Sequence, residues 1–437
     1  MVREEAQGGP DNIGARSAGA MAGATVAALA PRPTLLLREV LLVDDQGGRE
    51  GELLLHEGRI AGVGTEVDVA DVEQRLLGSG SRLVERDCGG LTVLPGLIDC
   101  HVHLVLDASA DVIAGLQRPI PELVLQMAQH AAATLAGGVT TVRDLGSMQG
   151  LDRPLQVALQ HGWLLGPRMV AAGPALCIPG GHGHFIGREV ADVAAAMQAA
   201  DESLAAGCEV LKVIATGGVL TPGVDPHKAE MTLEQMAAVV AAAKKAKTHV
   251  AAHAHGTLGI VNAVQAGCAS IEHGTYMDDA AAALMAQQGT LWVPTIKAVS
   301  RIVTYGRGAG IPEFAVTKGE EALQSLKGAF SHARKHKVPV AMGTDAGTPF
   351  NHHGENAQEL MLLVQNGYSA QEAITAATST AARLLGLQRR IGRLEKGMEA
   401  DLLLVRGDPL ADIGVVAARP RMVLRAGRIV VDRERWS

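Results

Sequence analysis

Leu94-Pro-Gly-Leu-Ile-Asp-Cys-His-Val-His103 is the stretch from which the organisation of this chain is read. An apolar run that starts at Leu91 meets a Pro-Gly break, and a second apolar run follows that carries Asp99, His101 and His103. Side chains alternate across a β-strand, so two histidines two positions apart point to the same side. Such a pair suits one divalent metal ion such as zinc, although a His-x-His pair alone has low specificity.

The composition excludes several classes of protein. The 437 residues are 47% hydrophobic, 19% charged and 2% aromatic, with a formal net charge of −7. This balance is typical of a well-buried enzyme, and the shortage of aromatic and clustered basic residues argues against nucleic-acid binding. No apolar run reaches the roughly 20 residues of a membrane span. Five scattered cysteines, none in a Cys-x-x-Cys pair, indicate free thiols and a reducing compartment, so we expect a cytoplasmic protein.

Both ends of the chain predict β structure. We expect residues 1–31 to be a flexible tail. Export is the alternative, since residues 17–30 are mildly apolar like a signal peptide, but the acidic residues before them and their weak apolar core argue against it. Short strands are predicted at Leu35–Val43, Gly51–Glu57, Arg59–Val63, Ala400–Val405, Met422–Leu424 and Ile429–Val431. We therefore expect residues 32–93 and 388–437 to form one small β-sandwich domain.

The middle of the chain, residues 94–387, alternates strands and helices, which predicts an α/β fold of the (β/α)8 TIM-like barrel type. A doubly wound sheet is the competing fold, but no Gly-x-Gly-x-x-Gly turn follows the first strand. The predicted strands are Leu97–His103, Val139–Asp144, Arg168–Ala172, Val210–Ala215, Val250–His255, Ser270–His273, Leu291–Pro294 and Val338–Gly343. The predicted helices include Pro121–Ala136, Val190–Ala206, Leu233–Ala246 and Gly319–His336.

Polar side chains stand at the carboxyl ends of five of these strands, where barrels of this type carry their catalytic groups. Each has a structural alternative: a hydrogen-bonded core histidine, a lysine that extends to solvent, or an aspartate in a turn. Together they favour a metal site, because a buried unpaired ammonium is costly and the histidines recur at several strand ends. The residues are His101, His103, Lys212, His253, His255, Glu272, His273, Thr344 and Asp345.

This set of residues resembles the metal-binding residues of the amidohydrolase superfamily. The resemblance extends along the chain from the first β segment to Gly397-Met-Glu-Ala-Asp-Leu-Leu-Leu404. It implies that His101 and His103 hold the more buried metal ion together with Asp345. His253 and His273 would hold a second ion, and a carboxylated Lys212 would bridge the two, with zinc the usual metal. It also implies hydrolysis by metal-activated hydroxide, with Asp345 moving the proton.

Within the superfamily the chain is similar to a branch of binuclear dipeptidases that act on Xaa-Pro, Xaa-Arg or N-acylated amino acids and that includes ochratoxin-hydrolysing amidases. This likeness implies a metal-dependent amidohydrolase or peptidase that cleaves an amide beside a free carboxylate, and a homo-oligomer, commonly an octamer. The motifs that carry it are Pro179–His184, Ala215–Val219, Asp225–Lys228, Ala252–Gly256, Ile271–Thr275, Gly343–Gly347 and Asn351–Glu355.

Candidate substrate contacts lie on the loops after these strands, and a mobile loop or a solvated turn explains several of them nearly as well. His184 and His255 are also candidates for a catalytic role near the substrate carbonyl, together with Asp345. The candidate contacts are His182, His184, Val219, His227, His255 and Tyr276.

Two other functions remain open from the sequence. A mononuclear cyclic amidase of the imidazolonepropionase type shares the superfamily frame, but it usually lacks the lysine on the fourth strand, so Lys212 argues against it. A non-enzymatic assembly or structural barrel would be expected to lack metal ligands, whereas all six positions are filled here.

Overall fold

The structure is a computed structural model that describes residues 32–77 and 82–434. The predicted tail, residues 1–31, lies outside the described residues. None of the described helices is long and apolar enough to cross a membrane.

The strands, in chain order, are β1 Thr34–Asp44, β2 Gly47–His56, β3 Arg59–Gly64, β4 Leu83–Asp87, β5 Leu91–Pro95, β6 Leu97–Val102, β7 Val139–Asp144, β8 Arg168–Ala171, β9 Ala175–Cys177, β10 Gly187–Glu189, β11 Leu211–Ile214, β12 Val250–Ala254, β13 Ser270–His273, β14 Leu291–Val293, β15 Leu402–Arg406, β16 Met422–Arg425 and β17 Arg428–Asp432.

The α-helices are α1 Ala70–Leu76, α2 Val112–Gly115, α3 Ile120–Ala136, α4 Asp152–Gln160, α5 Val193–Ala205, α6 Leu233–Lys245, α7 Thr257–Ala266, α8 Asp279–Gln288, α9 Ile296–Tyr305, α10 Glu313–His336, α11 Gln358–Gln365, α12 Ala370–Ala376, α13 Ser379–Leu384 and α14 Gly414–Ala417.

The two ends of the chain build one eight-stranded mixed sheet, in the order β17-β16-β15-β5-β1-β2-β3, with β4 also beside β1. The two ends meet where β15 runs antiparallel to β5, with Leu402 opposite Pro95. A register shift between Leu37 and Val40 divides β1, so its first half pairs with β4 and its second half with β5. The predicted β structure at both ends is therefore present, and the sandwich form of this domain stays a prediction.

The middle of the chain carries two sheets that are parallel throughout, β6-β7-β8 and β10-β9-β11-β12-β13-β14. The segment predicted as the last strand, residues 338–343, is not assigned as a continuous strand. Val340 makes a single parallel bridge to Trp292 of β14, and Ala346 makes one to Val102 of β6. Its backbone nevertheless contacts both neighbours, because Ala341 N donates to Trp292 O and Cys100 N donates to Met342 O.

The four predicted helices are present, and they pack apolar faces against the parallel strands, as the helical period requires. α6 begins with a capping box formed by Thr232 and Gln235 and ends with two lysines, which favour a helix carboxyl end. α10 begins at Glu313 rather than at the predicted Gly319. The sequence analysis did not predict α9, which forms one wall of the cavity described next.

Candidate metal centre and active site

A cavity lies at the carboxyl ends of the parallel strands and combines a histidine-rich floor with an apolar wall. The floor contains seven of the polar residues predicted at strand ends and one histidine from the loop after β9. These residues are His101, His103, His182, Lys212, His253, His255, His273 and Asp345. The wall comprises Leu106, Phe185, Ile186, Ile214, Val219, Leu220, Ala298, Val299 and Ile302. A larger open depression of about 890 Å³ lies at the opposite ends of several strands and holds none of the predicted ligands.

The first ligand set joins β6 to the loop after residue 343. The Nε2 atoms of His101 and His103 lie 3.5 Å and 3.3 Å from the same oxygen of Asp345, Oδ1. Each of the three residues offers a ligand atom within 4.8 Å of the others. This set is the one that the sequence predicted for the more buried metal ion.

The second ligand set consists of His253, His255 and His273, whose ring centroids are 4.6–4.8 Å apart. Only 5.1 Å separates the ring centroids of His273 and His101, so the two sets are adjacent. The sequence predicted His253 and His273 as ligands, and the structure brings His255 equally close.

Lys212, from β11, lies at the same site and is 2% exposed. Its Nζ atom is buried and makes no hydrogen bond to the described residues. A buried amine without a partner is costly, so this position calls for a ligand, a counter-charge or a chemical modification.

Most of the histidine rings are oriented by a second contact, made through Nδ1. His103 contacts Gly146 O at 2.9 Å, and His255 and His273 contact the hydroxyls of Thr275 and Thr295 at 2.7 Å. His253 differs, because it places Nε2 3.1 Å from Gly217 O. Contacts of this kind set which nitrogen remains available to a metal ion.

His101 is oriented by a buried carboxylate that the sequence analysis placed at this strand end without a role. Glu272 Oε2 lies 2.9 Å from His101 Nδ1, while Glu272 Oε1 accepts from Arg143 at 2.8 Å and from Ser270 at 2.5 Å. Arg143 also donates to Cys100 O, so the ion pair ties β6, β7 and β13 together. An arginine inside a strand, at Val139–Asp144, was the available signal, because a buried guanidinium requires a partner.

Two of the predicted ligands have left-handed backbone conformations. His273 has φ 68° and Asp345 has φ 56°, a region that residues other than glycine seldom occupy. Such strain persists only where the surroundings impose it, and it is concentrated at functional sites. At His273, it also breaks the strict alternation of side chains along β13, which helps Glu272 and His273 both serve the same centre.

Burial shifts the pKa values of the histidines and of Lys212 toward the neutral forms that can bind a metal ion. It lowers the pKa of His103 to about 4 and that of His255 to about 3, so both rings are neutral near pH 7. Burial also lowers the pKa of Lys212 to about 8 and raises that of Asp345 to about 8. Neutral imidazoles and a readily deprotonated amine are the forms that act as ligands or nucleophiles.

The residues present fit a metal centre of the predicted kind. Two adjacent sets each offer three side-chain donors, the rings are fixed by second contacts, and the buried amine of Lys212 has no partner in the described part of the chain. Imidazole and carboxylate donors in this number suit zinc and related divalent ions.

The comparison with known families agrees with this geometry. The model of the amidohydrolase family matches residues 92–430. The chain belongs to the amidohydrolase family. Structures of this family imply a TIM barrel for the parallel part of the fold, and the family is generally metal-dependent.

The relatives narrow the branch of the family. The chain is 29% identical over 401 residues to ochratoxinase from Aspergillus niger, an alignment that covers 85% of this chain and 80% of that protein. It is similar to a prolidase solved with N-methylphosphonate-L-proline, with a TM-score of 0.83, 29% identity and coverage of 92% and 100% of the two chains. A Xaa-Pro dipeptidase with bound methionine gives a TM-score of 0.80 and 32% identity over 91% and 99%. The predicted branch is confirmed, and this amidohydrolase is a hydrolytic enzyme.

The predicted substrate contacts divide into two groups. His182, Val219 and His255 line the cavity of this amidohydrolase. His184 and His227 are exposed, and neither they nor Tyr276 are among its lining residues. His227 instead stacks on Tyr276 at 3.9 Å and pairs with Glu321 of α10 at 2.9 Å. The roles of these three residues stay predictions.

The loop after β11, residues 215–231, supplies Val219 and Leu220 to the cavity wall and is held from outside by α10. Lys318 Nζ donates to Gly218 O at 3.2 Å, to Thr221 O at 3.1 Å and to Val224 O. One ammonium therefore satisfies three carbonyls of a loop that has little regular structure of its own. The sequence offered no signal for this contact, because Lys318 is 94 residues or more from its partners.

Proposed function

We propose that this chain is a metal-dependent amidohydrolase that cleaves an amide or peptide bond next to a free carboxylate. Dipeptidase, carboxypeptidase-like and N-acyl amino acid amidase activities fall within this class, and hydrolysis of ochratoxin A is included. One observation carries the proposal: two adjacent ligand sets and the partnerless amine of Lys212 share one cavity with an apolar wall. The ochratoxinase, prolidase and Xaa-Pro dipeptidase relatives support it.

We infer a centre of two divalent ions, with zinc the first choice. His101, His103 and Asp345 would hold one ion and His253 and His273 the other. Lys212 would link the two after its neutral amine attacks carbon dioxide and loses a proton, which converts a cation into an anionic oxygen donor. The pKa of about 8 supports this step, because only the unprotonated amine is nucleophilic. Metal ions in such a centre lower the pKa of water and polarise the scissile carbonyl.

The side chains of the cavity would then move protons and stabilise charge. Asp345 would accept the proton of the attacking water and deliver it to the leaving amine. The Nε2 atom of His255 is the candidate to donate to the carbonyl oxygen, and that of His182 is free to face the substrate carboxylate, because both rings contact threonine hydroxyls through Nδ1 at 2.7 Å. His184 remains a predicted catalytic contact that a larger substrate, extending out of the cavity, would reach.

The wall supports a substrate with a bulky apolar group. Its side chains are aliphatic or aromatic, and Lys212 and the histidines are the basic residues that line the described cavity. We assign the substrate carboxylate to His182 within the cavity, and to His227 with Tyr276 for a substrate that extends to the loop. This arrangement favours amino acids with apolar side chains on at least one side of the scissile bond.

The proposed architecture is a closed (β/α)8 barrel over residues 94–387, with the β domain of residues 32–93 and 388–437 beside it. The backbone contacts of residues 338–346 with both β14 and β6 support closure. We further propose that the protein forms a homo-oligomer, with an octamer as the expected form, in the reducing cytoplasm. The five cysteines support that compartment, because all are unpaired and buried.

The first test is the metal content per chain together with the activity of Lys212→Ala on dipeptides and N-acyl amino acids. About two zinc ions per chain, with both metal and activity lost in the variant, would support the bridged centre. A different result would replace this proposal with the mononuclear cyclic amidase. In that case the enzyme would hold one metal ion per chain, would hydrolyse 4-imidazolone-5-propionate, and would stay active after Lys212→Ala. Lys327→Ala is the control, because Lys327 is exposed. Lys297 is unsuitable for this purpose because, like Lys212, it is buried.

A further inference from the structure

A second cleft lies between the barrel and the β domain, away from the metal ligands. It has a volume of about 220 Å³ and is bounded on one side by the connection from α4 to β8 and on the other by the β16–β17 hairpin. Arg32, Arg425 and Arg428 line it, with His161 on the facing wall. None of the residues that line the active-site cavity takes part.

Arg425 is the residue that calls for a ligand. Its Nε atom is buried and makes no hydrogen bond to the described residues, and no ion pair joins its guanidinium to a described carboxylate. Burial lowers the pKa of Arg425, but a guanidinium stays charged at any ordinary pH. A buried cationic donor without an acceptor is rare in folded proteins and indicates an ion or water at that position.

Each oxygen of the two nearby carboxylates already accepts a hydrogen bond from another group. Glu399 accepts from Arg168 at 2.6 Å through one oxygen and from Arg390 at 2.7 Å through the other. Asp401 likewise uses one oxygen for Arg168, at 2.7 Å, and the other for the backbone N–H of Ala426, at 2.6 Å. Three arginines therefore share two carboxylates, and the charge of Arg425 is the one left without direct contact.

Further positive charge faces the same space. Arg32 and Arg428 line the cleft together; burial lowers the pKa of Arg428, and the positive charge of Arg32 lowers it further. His161 stacks on Trp163, with ring centroids 5.0 Å apart, and forms part of the opposite wall. Three arginines therefore line one cleft, and positive charge concentrated in this way attracts anions.

We propose that this cleft binds a small oxyanion, a phosphate or a carboxylate, through Arg425 with Arg32 and Arg428. Planar guanidinium groups bind both kinds of anion in pairs of parallel hydrogen bonds, and 220 Å³ accommodates an anion of this size rather than a macromolecule. The bound anion would bridge the β16–β17 hairpin to the barrel. It would therefore stabilise the contact between the two parts of the chain without entering the active site.

The test is anion binding by the metal-loaded enzyme, measured by isothermal titration calorimetry and thermal unfolding at constant ionic strength. Inorganic phosphate and succinate are the probes, because they separate phosphate from carboxylate recognition, and chloride is the reference. Arg425→Gln removes the buried cation, and Arg32→Gln removes an exposed one. Lys327→Gln, on α10, removes the same charge from an exposed position outside the cleft.

We expect phosphate or succinate to bind the wild type and Lys327→Gln and to raise the unfolding temperature of both. Arg425→Gln should weaken that binding at least tenfold. Arg32→Gln should weaken it by a smaller factor, and this variant provides the test if Arg425→Gln does not fold. Activity should be unchanged in Arg32→Gln. Equal binding or stabilisation in all four proteins would overturn the proposal, because it would reduce the effect to a general one of salt. So would the absence of binding to the wild type.

Discussion

The floor and the wall of the active-site cavity are held in place in different ways. Six of the eight floor residues lie on or just after β6, β11, β12 and β13, and histidines among them are fixed by buried partners such as Glu272 and Thr295. The wall is formed by α9 and by the loop after β11, and that loop is held by Lys318 from outside. The difference teaches that the chemistry is built on the rigid part of the fold, while substrate selection depends on contacts that can change without disturbing it.

The largest effect is expected from the floor. Asp345→Asn keeps the shape of the side chain but removes the carboxylate that we propose as the proton carrier. We expect kcat to fall by about 10² to 10⁴, the usual contribution of a general acid–base group, while one oxygen donor remains for the metal. Steady-state kinetics and metal analysis of the same preparation would measure both quantities.

Asp279→Asn is the matched control for this substitution, because Asp279 is an exposed aspartate on α8 that pairs with Lys335 and His336. Its kcat should equal that of the wild type. If Asp345→Asn retains its metal and its kcat stays within threefold of the wild type, Asp345 does not carry the proton.

Substitution of a residue that orients the floor histidines should give the next largest effect. Glu272→Gln preserves the size of the side chain but weakens its contacts with His101 and Arg143. Loss of a partner that orients a ligating histidine usually lowers metal affinity by roughly 10- to 100-fold. Competition with a chelator would measure the affinity, and excess zinc should restore much of the activity.

Ser270→Ala serves as the comparison for Glu272→Gln, because it removes a hydroxyl that donates to the same carboxylate and accepts from Arg143, and it leaves the contact between Glu272 and His101 intact. It should change metal affinity much less. A Glu272→Gln enzyme with wild-type metal affinity but a lowered unfolding temperature would show that Glu272 acts only on stability, through the buried ion pair with Arg143.

The same division explains what could be predicted from the sequence. The strands that carry His101, Lys212, His253 and His273 were located because apolar runs and a period of two are local properties of the chain. The apolar wall was mostly missed, since Ile302 and its neighbours on α9 carry no chemical signature. The positions of His184 and His227 outside the cavity depend on loop conformation, which residue type does not determine. The partner of Lys318 is likewise a property of the tertiary fold.

A substitution that loosens the wall should give the smallest effect, and it should change KM more than kcat. Lys318→Ala removes three hydrogen bonds that hold the loop carrying Val219, and we expect KM to rise by roughly fivefold, which corresponds to about 1 kcal/mol of binding. The kcat should fall less than KM rises, because Lys318 donates to carbonyls of the loop, and the loop reaches the floor only indirectly, for example through the contact of Thr221 with His182. Kinetics on a series of apolar substrates would show the rise, and Lys327→Ala on the same helix should leave KM unaltered. A fall in kcat at constant KM would mean that the loop positions the reacting groups, and the distinction between floor and wall would then fail.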